Sequence, residues 1–315
     1  MKGILSSTRT LTAVLGEFRS KGNIRRFYGW LVVGLVVSVP AAHAQTSNLA
    51  KSYLKRGNSF YAKGNLDEAI EDYNAAIAFD PKFAQAYYNR ALSEYAKGAL
   101  DSAIMDFDAA IEINPRFGAA YCGRGDMLIL KGDIDQALAN YDRAIALDPR
   151  LAEAYCSRGN ALMAKGRIDQ ALADYDRAIA VNPRLAEAYS NRGAARQTRG
   201  DLDGAILDYA RSIEINPHIA PTYNNRGNAL LEEGRYREAI ADFDTAIQID
   251  PQRAGSYADR GVARLLQGKT AEAQKDFDHA LRLDATLGPR LEQRVKAVNL
   301  KRETIVGERG KRVDP

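Results

Sequence analysis

Pro81, Pro115, Pro149, Pro183, Pro217 and Pro251 follow one another at intervals of 34 residues without exception, and Ala285 takes the next place in the series. A fixed period of this length constrains the fold more than any other feature of the chain. A self-similar array stacks copies of one small unit and does not build a single large core. Seven units tile residues 48–285 without insertion or deletion, with bounds 48–81, 82–115, 116–149, 150–183, 184–217, 218–251 and 252–285. The length of 315 residues therefore says little about the number of domains.

The unit 150–183 is typical. Its first segment carries Ala154, Tyr155, Arg158, Gly159 and Leu162 at helical spacing. Gly166 follows, a residue able to end a helix in the left-handed conformation. The second segment places Ala171, Leu172, Tyr175, Ala178 and Ile179 on one face. Asp169 sits in its first turn, where the helix dipole favours an anion. Pro183 closes it, because proline cannot continue the hydrogen-bond ladder. Each unit is thus expected to be helix–turn–helix, with short loops holding the two helices antiparallel.

Close approach of the two helices is written into one pair of positions. Gly57, Ala91, Gly125, Gly159, Gly193, Gly227 and Gly261 share a slot on the first helix, and an alanine series from Ala69 to Ala273 shares one on the second. Beside them stand tyrosines from the first helix (Tyr53 to Tyr257) and Tyr73, Phe107, Tyr141, Tyr175, Tyr209, Phe243 and Phe277 from the second. A single hairpin cannot bury such rings, so stacking on neighbours must do so. The residue before each small first-helix residue is arginine throughout, from Arg56 to Arg260. A buried charge without a partner costs several kcal/mol. The aspartates flanking the second-helix aromatic, such as Asp174 and Asp176, are the expected partners, one serving its own repeat and the other a neighbour.

The order of aromatic, glycine, tyrosine, alanine, aromatic, alanine and proline within 34 residues resembles the tetratricopeptide-repeat family, over about three quarters of the chain. Tyrosine replaces the family's opening tryptophan, and arginine replaces the leucine before glycine. The resemblance implies an all-α fold: a right-handed superhelical α-solenoid of seven helix–turn–helix repeats, with the first helices lining a concave groove that binds protein or peptide. Some members hold a terminal carboxylate with a clamp of lysine, arginine and asparagine. Here Asn58 and Asn89 match its asparagines, but Leu54 and Gln85 stand where cations are needed, which argues against that mode.

Outside the repeats, Leu287, Leu291, Val295 and Val298 form an apolar stripe that predicts a capping helix over 286–300, giving a repeat domain of 48–300. Residues 301–315 are charged and aperiodic and are expected to be a disordered tail. Residues 1–44 have the form of a cleavable signal peptide. A basic stretch with Arg19, Lys21, Arg25 and Arg26 precedes the apolar run Trp30 to Val39, and Ala42-His43-Ala44 offers small residues at the cleavage position. The run is about half of what a spanning helix needs, and Pro40 interrupts it, so no stable membrane span is expected after cleavage. The expected location is the periplasm if the source is Gram-negative, and otherwise the exterior.

Of 44 Lys/Arg and 40 Asp/Glu, six and one fall in residues 1–44, so the remainder is balanced at 38 against 39. A balanced body without a basic stripe speaks against nucleic-acid binding. No HExxH and no CxxC occurs, which leaves no zinc-ligand set of the usual spacing. Gly268-Lys269-Thr270 resembles the end of a phosphate loop, but Ala263 occupies the place of the required glycine and the segment lies in a helix–helix turn. Acid pairs such as Asp174 and Asp176 recur in almost every unit, whereas an active site needs one special place. No catalytic residue, metal or cofactor is expected.

First-helix positions facing the implied groove vary between units, unlike the core. The expected protein-binding residues are Leu54, Asn58, Tyr61, Tyr88, Leu92 and Tyr95 in the first two units, and Cys122, Ile129, Cys156, Asn160 and Met163 in the next two. Asn224 and Asn228 follow in the sixth. Tyrosine combines apolar area with a polar tip, and asparagine can pair with both groups of a bound backbone. Tyr61 and Tyr95 have a competing role, that of sealing the seam between adjacent helices. Cys122 and Cys156 share a slot in neighbouring repeats, where helices about 8–10 Å apart exceed the reach of a disulfide, so two free thiols are expected. The function these features suggest is a non-catalytic adaptor or scaffold of the cell envelope. The alternatives are an accessory binder of a nonprotein ligand such as cell-wall polymer, and a self-assembling scaffold.

Overall fold

The computed structural model describes residues 46–310; the expected leader 1–44 and residues 311–315 lie outside them. The described residues are helical throughout, without strands. They fall into two compact units, Met1–Pro115 and Arg116–Pro315. The first contains α1 (46–62), α2 (Leu66–Phe79), α3 (Ala84–Ala96) and α4 (Leu100–Ile113). The second contains α5 (Gly118–Leu130), α6 (Ile134–Leu147), α7 (Ala152–Ala164), α8 (Ile168–Val181), α9 (Ala186–Arg199), α10 (Leu202–Ile215), α11 (Ala220–Glu232), α12 (Tyr236–Ile249), α13 (Ala254–Leu266) and α14 (Thr270–Leu283). A short 3-10 turn (Ala285–Leu287) then leads to α15 (Gly288–Gly310).

Each helix pair follows from local chemistry. The first helix stops where glycine can turn left-handed: Gly200 has φ +89 and returns its N–H to the carbonyls of Arg196 and Gln197. The second helix starts beside an acid in several repeats. Asp133 accepts from the Gln136 N–H at 3.1 Å and Asp201 from the Gly204 N–H at 3.0 Å. It ends with one last turn, as Asp148 N–H reaches the Ala144 carbonyl at 2.8 Å just before Pro149.

Within a repeat the helices touch at the small positions. Ala137, Ala171, Ala205 and Ala239 are fully buried, as are Tyr141, Tyr175, Tyr209 and Phe243 beside them to within 1%. A Cβ added at Gly159 would lie 2.6 Å from Cε1 of Tyr175, so the ring occupies the space a side chain would need. That is why the slot holds glycine in six units and alanine in one.

The arginine series is paired as the charge argument requires. Arg158 donates Nε to Asp174 Oδ2 at 2.8 Å and Nη2 to Oδ1 at 2.6 Å within its repeat, and Nη1 to Asp142 of the preceding repeat at 2.6 Å. Arg192 repeats this with Asp208 and Asp176, and Arg260 with Asp276 and Asp244. In the first unit Arg56 grips Asp72, and Arg90 grips Asp106 and Asn74. Every one of these arginines also lies over the tyrosine three residues earlier, at 5.0 to 5.8 Å from the ring centroid. Around Arg56, Arg90, Arg158, Arg192, Arg226 and Arg260 the cation is thus held between an aromatic face and one or two carboxylates, whereas the own-repeat partner of Arg124 is the Asn140 amide oxygen at 2.8 Å.

Leu291 of α15 is 5% exposed and closes the last repeat, where Leu287, Val295 and Val298 join the cluster of Val262, Leu265 and Phe277. The helix does not stop near residue 300, where the sequence pattern suggested a disordered tail, but runs to Gly310. Once a helix is nucleated, each added residue forms a bond without a new nucleus, and Lys301, Arg302 and Glu303 are good helix formers.

Candidate protein-binding face

The first helices present the variable positions. In the first unit, Leu54, Asn58 and Tyr61 come from α1, and Tyr88, Leu92 and Tyr95 from α3. Asn89 Nδ2 donates to Asn58 Oδ1 at 2.7 Å and so ties the two helices together on this side. Tyr61 and Tyr95 are 39% and 45% exposed. Both rings are thus partly open to solvent in adjacent repeats. Tyr88 turns inward and meets the Phe107 ring edge-on at 5.7 Å.

In the second unit, Ile129, Asn160, Met163 and Asn228 keep part of their surface, while Cys122, Cys156 and Asn224 are buried. These last three were expected to line an open groove. Their slot points at the adjacent first helix, as the contacts of Cys156 with Asn191 and of Asn224 with Asp259 show. Both cysteines are free thiols, and burial pushes the Cys156 thiol up to about 12 and Cys122 further.

A polar network crosses this face from repeat to repeat, on positions that the repeat pattern alone does not single out. Asn191 donates to Asn160 Oδ1 at 2.9 Å, and Asn224 and Asn228 both donate to Asp259 Oδ2, at 2.9 and 3.0 Å. Asn89, Asn191 and Asp259 share the slot just before the arginine. The core aromatic feeds the same network whenever it is tyrosine. Tyr73 donates to Asn58 at 2.9 Å, Tyr141 to Asp126 at 2.8 Å, Tyr175 to Asn160 at 2.7 Å and Tyr209 to Gln197 at 3.1 Å. Where the aromatic is Phe107 or Phe277, the facing position is Leu92 or Val262, whereas Phe243 faces Asn228, which turns to Asp259 instead. Hydroxyl and acceptor therefore occur together in most repeats. Burial raises the Asp126 pKa, against the opposing pull of hydrogen bonds from Tyr141 and Ser157.

The face ends in a pocket of about 390 Å³ between α9, α11, α13 and α15. Gly255 and Ala258 of α13 recess its floor, and nothing lies within 4 Å of a Cβ added at Gly255. Arg294 of α15 reaches across to Asp259 Oδ1 at 2.5 Å, and Gln197 donates to Glu232 at 2.7 Å on the far wall. Among the described residues there is no group of three or more His, Cys, Asp or Glu placed to hold a metal ion. Nor is any described helix long and apolar enough to cross a membrane.

The sequence pattern of the TPR repeat matches residues 57–93, 125–166 and 159–200, and two further tetratricopeptide-repeat patterns match 84–117 and 220–253. Together these cover more than half of the chain, and the chain belongs to the tetratricopeptide-repeat family. Among solved structures it is similar to PilF of Pseudomonas aeruginosa, at 20% identity and a TM-score of 0.61, over 68% of this chain and 96% of that one. A tetratricopeptide-repeat protein of Parabacteroides merdae is similar at 20% identity and a TM-score of 0.58, over 80% and 99%. One from Thermus thermophilus is similar at 25% identity and a TM-score of 0.51, over 58% and 99%. These likenesses are likenesses of fold. No curated protein matches the chain. The fold is that of a protein–protein interaction scaffold, in a family that binds peptides or proteins and is generally non-catalytic.

Proposed function

We propose that this chain is an exported, non-catalytic adaptor that binds a peptide or protein segment on its first-helix faces. The observation that carries the reading is the pair Tyr61 and Tyr95. Two large aromatic side chains stand open in the same slot of adjacent repeats, on a face otherwise laced with asparagine. Exposed tyrosines of this kind are common anchors of protein interfaces. Asparagine suits the backbone of an extended segment, and a bound segment would compete here with the internal hydrogen bonds that Asn58, Asn89, Asn160 and Asn228 already make. The leader reading of residues 1–44 supports export, to the periplasm in a Gram-negative cell.

Two measurements test the reading. N-terminal sequencing of the protein from its native host should begin near Gln45; a start near Met1 would remove the export part. The mature protein, immobilised and exposed to envelope extract and in parallel to purified cell-wall polymer, should retain a specific protein and not the polymer. Retention of polymer alone, or light scattering that reveals only self-assembly, would overturn the adaptor.

A further inference from the structure

At the turn edge of the repeats a second series of ion pairs links neighbours, and in the sixth repeat it is reversed. In the second unit Lys165 pairs with Asp135 at 2.5 Å and Arg199 with Asp169 at 3.7 Å. Lys97 and Asp67 make the same pair in the first unit. The cation stands in the turn after a first helix, and the acid in the opening turn of the preceding second helix. One repeat further on, the cation slot holds Glu233 and the acid slot holds Arg237. Glu233 turns to Arg235 at 3.1 Å, which is also bound by Glu238 at 2.7 Å. Arg237 faces Gln267 where the pattern would offer a cation, and neither it nor Lys269 has an ion-pair partner among the described residues. Gly234, Arg235, Tyr236, Glu238 and Gln267 join these two cations around a pocket of about 580 Å³.

Glu233 in place of a cation removes the link to Asp203, and Arg237 in place of an acid, with Gln267 opposite, leaves positive charge beside one cavity. Arg235 is neutralised locally by Glu233 and Glu238, while Arg237 and Lys269 are not. The residues that start α12 and α14, Arg235 and Lys269, also make no side-chain cap hydrogen bond, so partial positive charge of the helix ends adds to the field. We infer that this turn edge of the sixth and seventh repeats is a second interaction surface, built for a short acidic peptide segment of a partner protein. The size of the patch selects that ligand. Two free cations beside a tyrosine match one or two carboxylates, whereas a nucleic acid or other polyphosphate draws its affinity from many phosphate contacts, and the rest of the chain is balanced in charge. The surface is separate from the first-helix faces and does not depend on their role.

The test uses the full chain and a fluorescein-labelled peptide of alternating glycine and glutamate, with its glutamine counterpart as control, read by fluorescence anisotropy at low salt. The glutamate peptide should bind at least about tenfold tighter than the glutamine one, with an affinity that falls as salt rises. The double variant Glu233→Lys with Arg237→Asp restores the residue types of the preceding repeats, so it should melt no lower than the parent and should lose that preference. Tyr61→Ala with Tyr95→Ala should leave it intact. Absence of a preference in the parent, a preference that survives in the restored variant, or tighter binding of a polythymidine strand than of the peptide would each overturn the assignment.

Discussion

Arg158 and Asp174 meet as a fork, with Nε on Oδ2 at 2.8 Å and Nη2 on Oδ1 at 2.6 Å, and the aspartate is 6% exposed. Truncating the cation leaves that carboxylate buried without its partner. Arg158→Ala should therefore cost about 3 kcal/mol or more. Asp142→Ala should cost less than about 1 kcal/mol, because Asp142 is mostly exposed. Arg158→Lys should fall between, since an ammonium cannot fill the fork. Urea unfolding followed by circular dichroism would rank the three. Equal losses for Arg158→Ala and Asp142→Ala would contradict the burial argument.

The Tyr141–Asp126 contact carries a pH dependence with a definite sign. Burial holds the Asp126 pKa above that of an ordinary carboxyl. A carboxyl of this kind contributes most below its unfolded pKa and loses that contribution as pH rises through the folded value. Asn58 and Asn160 already accept the equivalent tyrosine hydroxyls. Asp126→Asn should therefore melt above the parent at neutral pH, with the gap closing below roughly pH 4. A variant that melts lower at every pH would show that the ionised acid is needed.

Cys122 and Cys156 are buried with raised pKa values. An aromatic disulfide reagent at about pH 8 should find almost no thiol in the folded protein, and both after denaturation. Rapid reaction of one thiol in the native state would mean that α5 and α7 open locally.

Tyr61→Ala combined with Tyr95→Ala should weaken a captured partner by about 2 kcal/mol or more. The melting temperature should barely move, because both rings are substantially exposed. A marked fall in stability with unchanged affinity would return these tyrosines to the seam between helices.

Gly159→Ala places a methyl group 2.6 Å from the Tyr175 ring, whose hydroxyl is anchored on Asn160 at 2.7 Å. A loss of about 1–3 kcal/mol is expected from overpacking. Adding Tyr175→Phe removes the hydroxyl anchor and lets the ring shift, and should recover part of the loss; Phe107 already stands beside an alanine, Ala91. Calorimetry on the single and double variants would show whether the two changes couple.

The repeat frame was legible because its signals are local. A 34-residue period, helical spacing and the stop at Gly200 each act within a few residues. The Arg158 partners could be read from charge alone, since a cation in a packed slot demands an acid within reach. The contacts that depend on the angle between stacked helices could not. Asn191 on Asn160, Asn224 and Asn228 on Asp259, and Arg294 reaching back to Asp259 each join residues 31 to 35 apart. Their polarity was plain, but their pairing depends on small rotations that no pattern of residues displays. The burial of Cys122, Cys156 and Asn224 depends in the same way on how neighbouring first helices pack, and their variability had placed them on the open face.

Arg158 stands sixteen residues from each of its aspartates, Asp142 before it and Asp174 after it, and Arg192 and Arg260 keep the same spacing. Excision or duplication of one whole 34-residue unit between such repeats would leave every remaining arginine with the partner sixteen residues ahead in its own repeat, an aspartate in each case but Arg124, which meets Asn140. A gene for this chain can thus lengthen or shorten by unequal crossing-over without stripping an arginine of the partner inside its own repeat. Insertions of any other length would throw the pairs out of step. The uniform period is then a trace of which genetic accidents the descendants could survive.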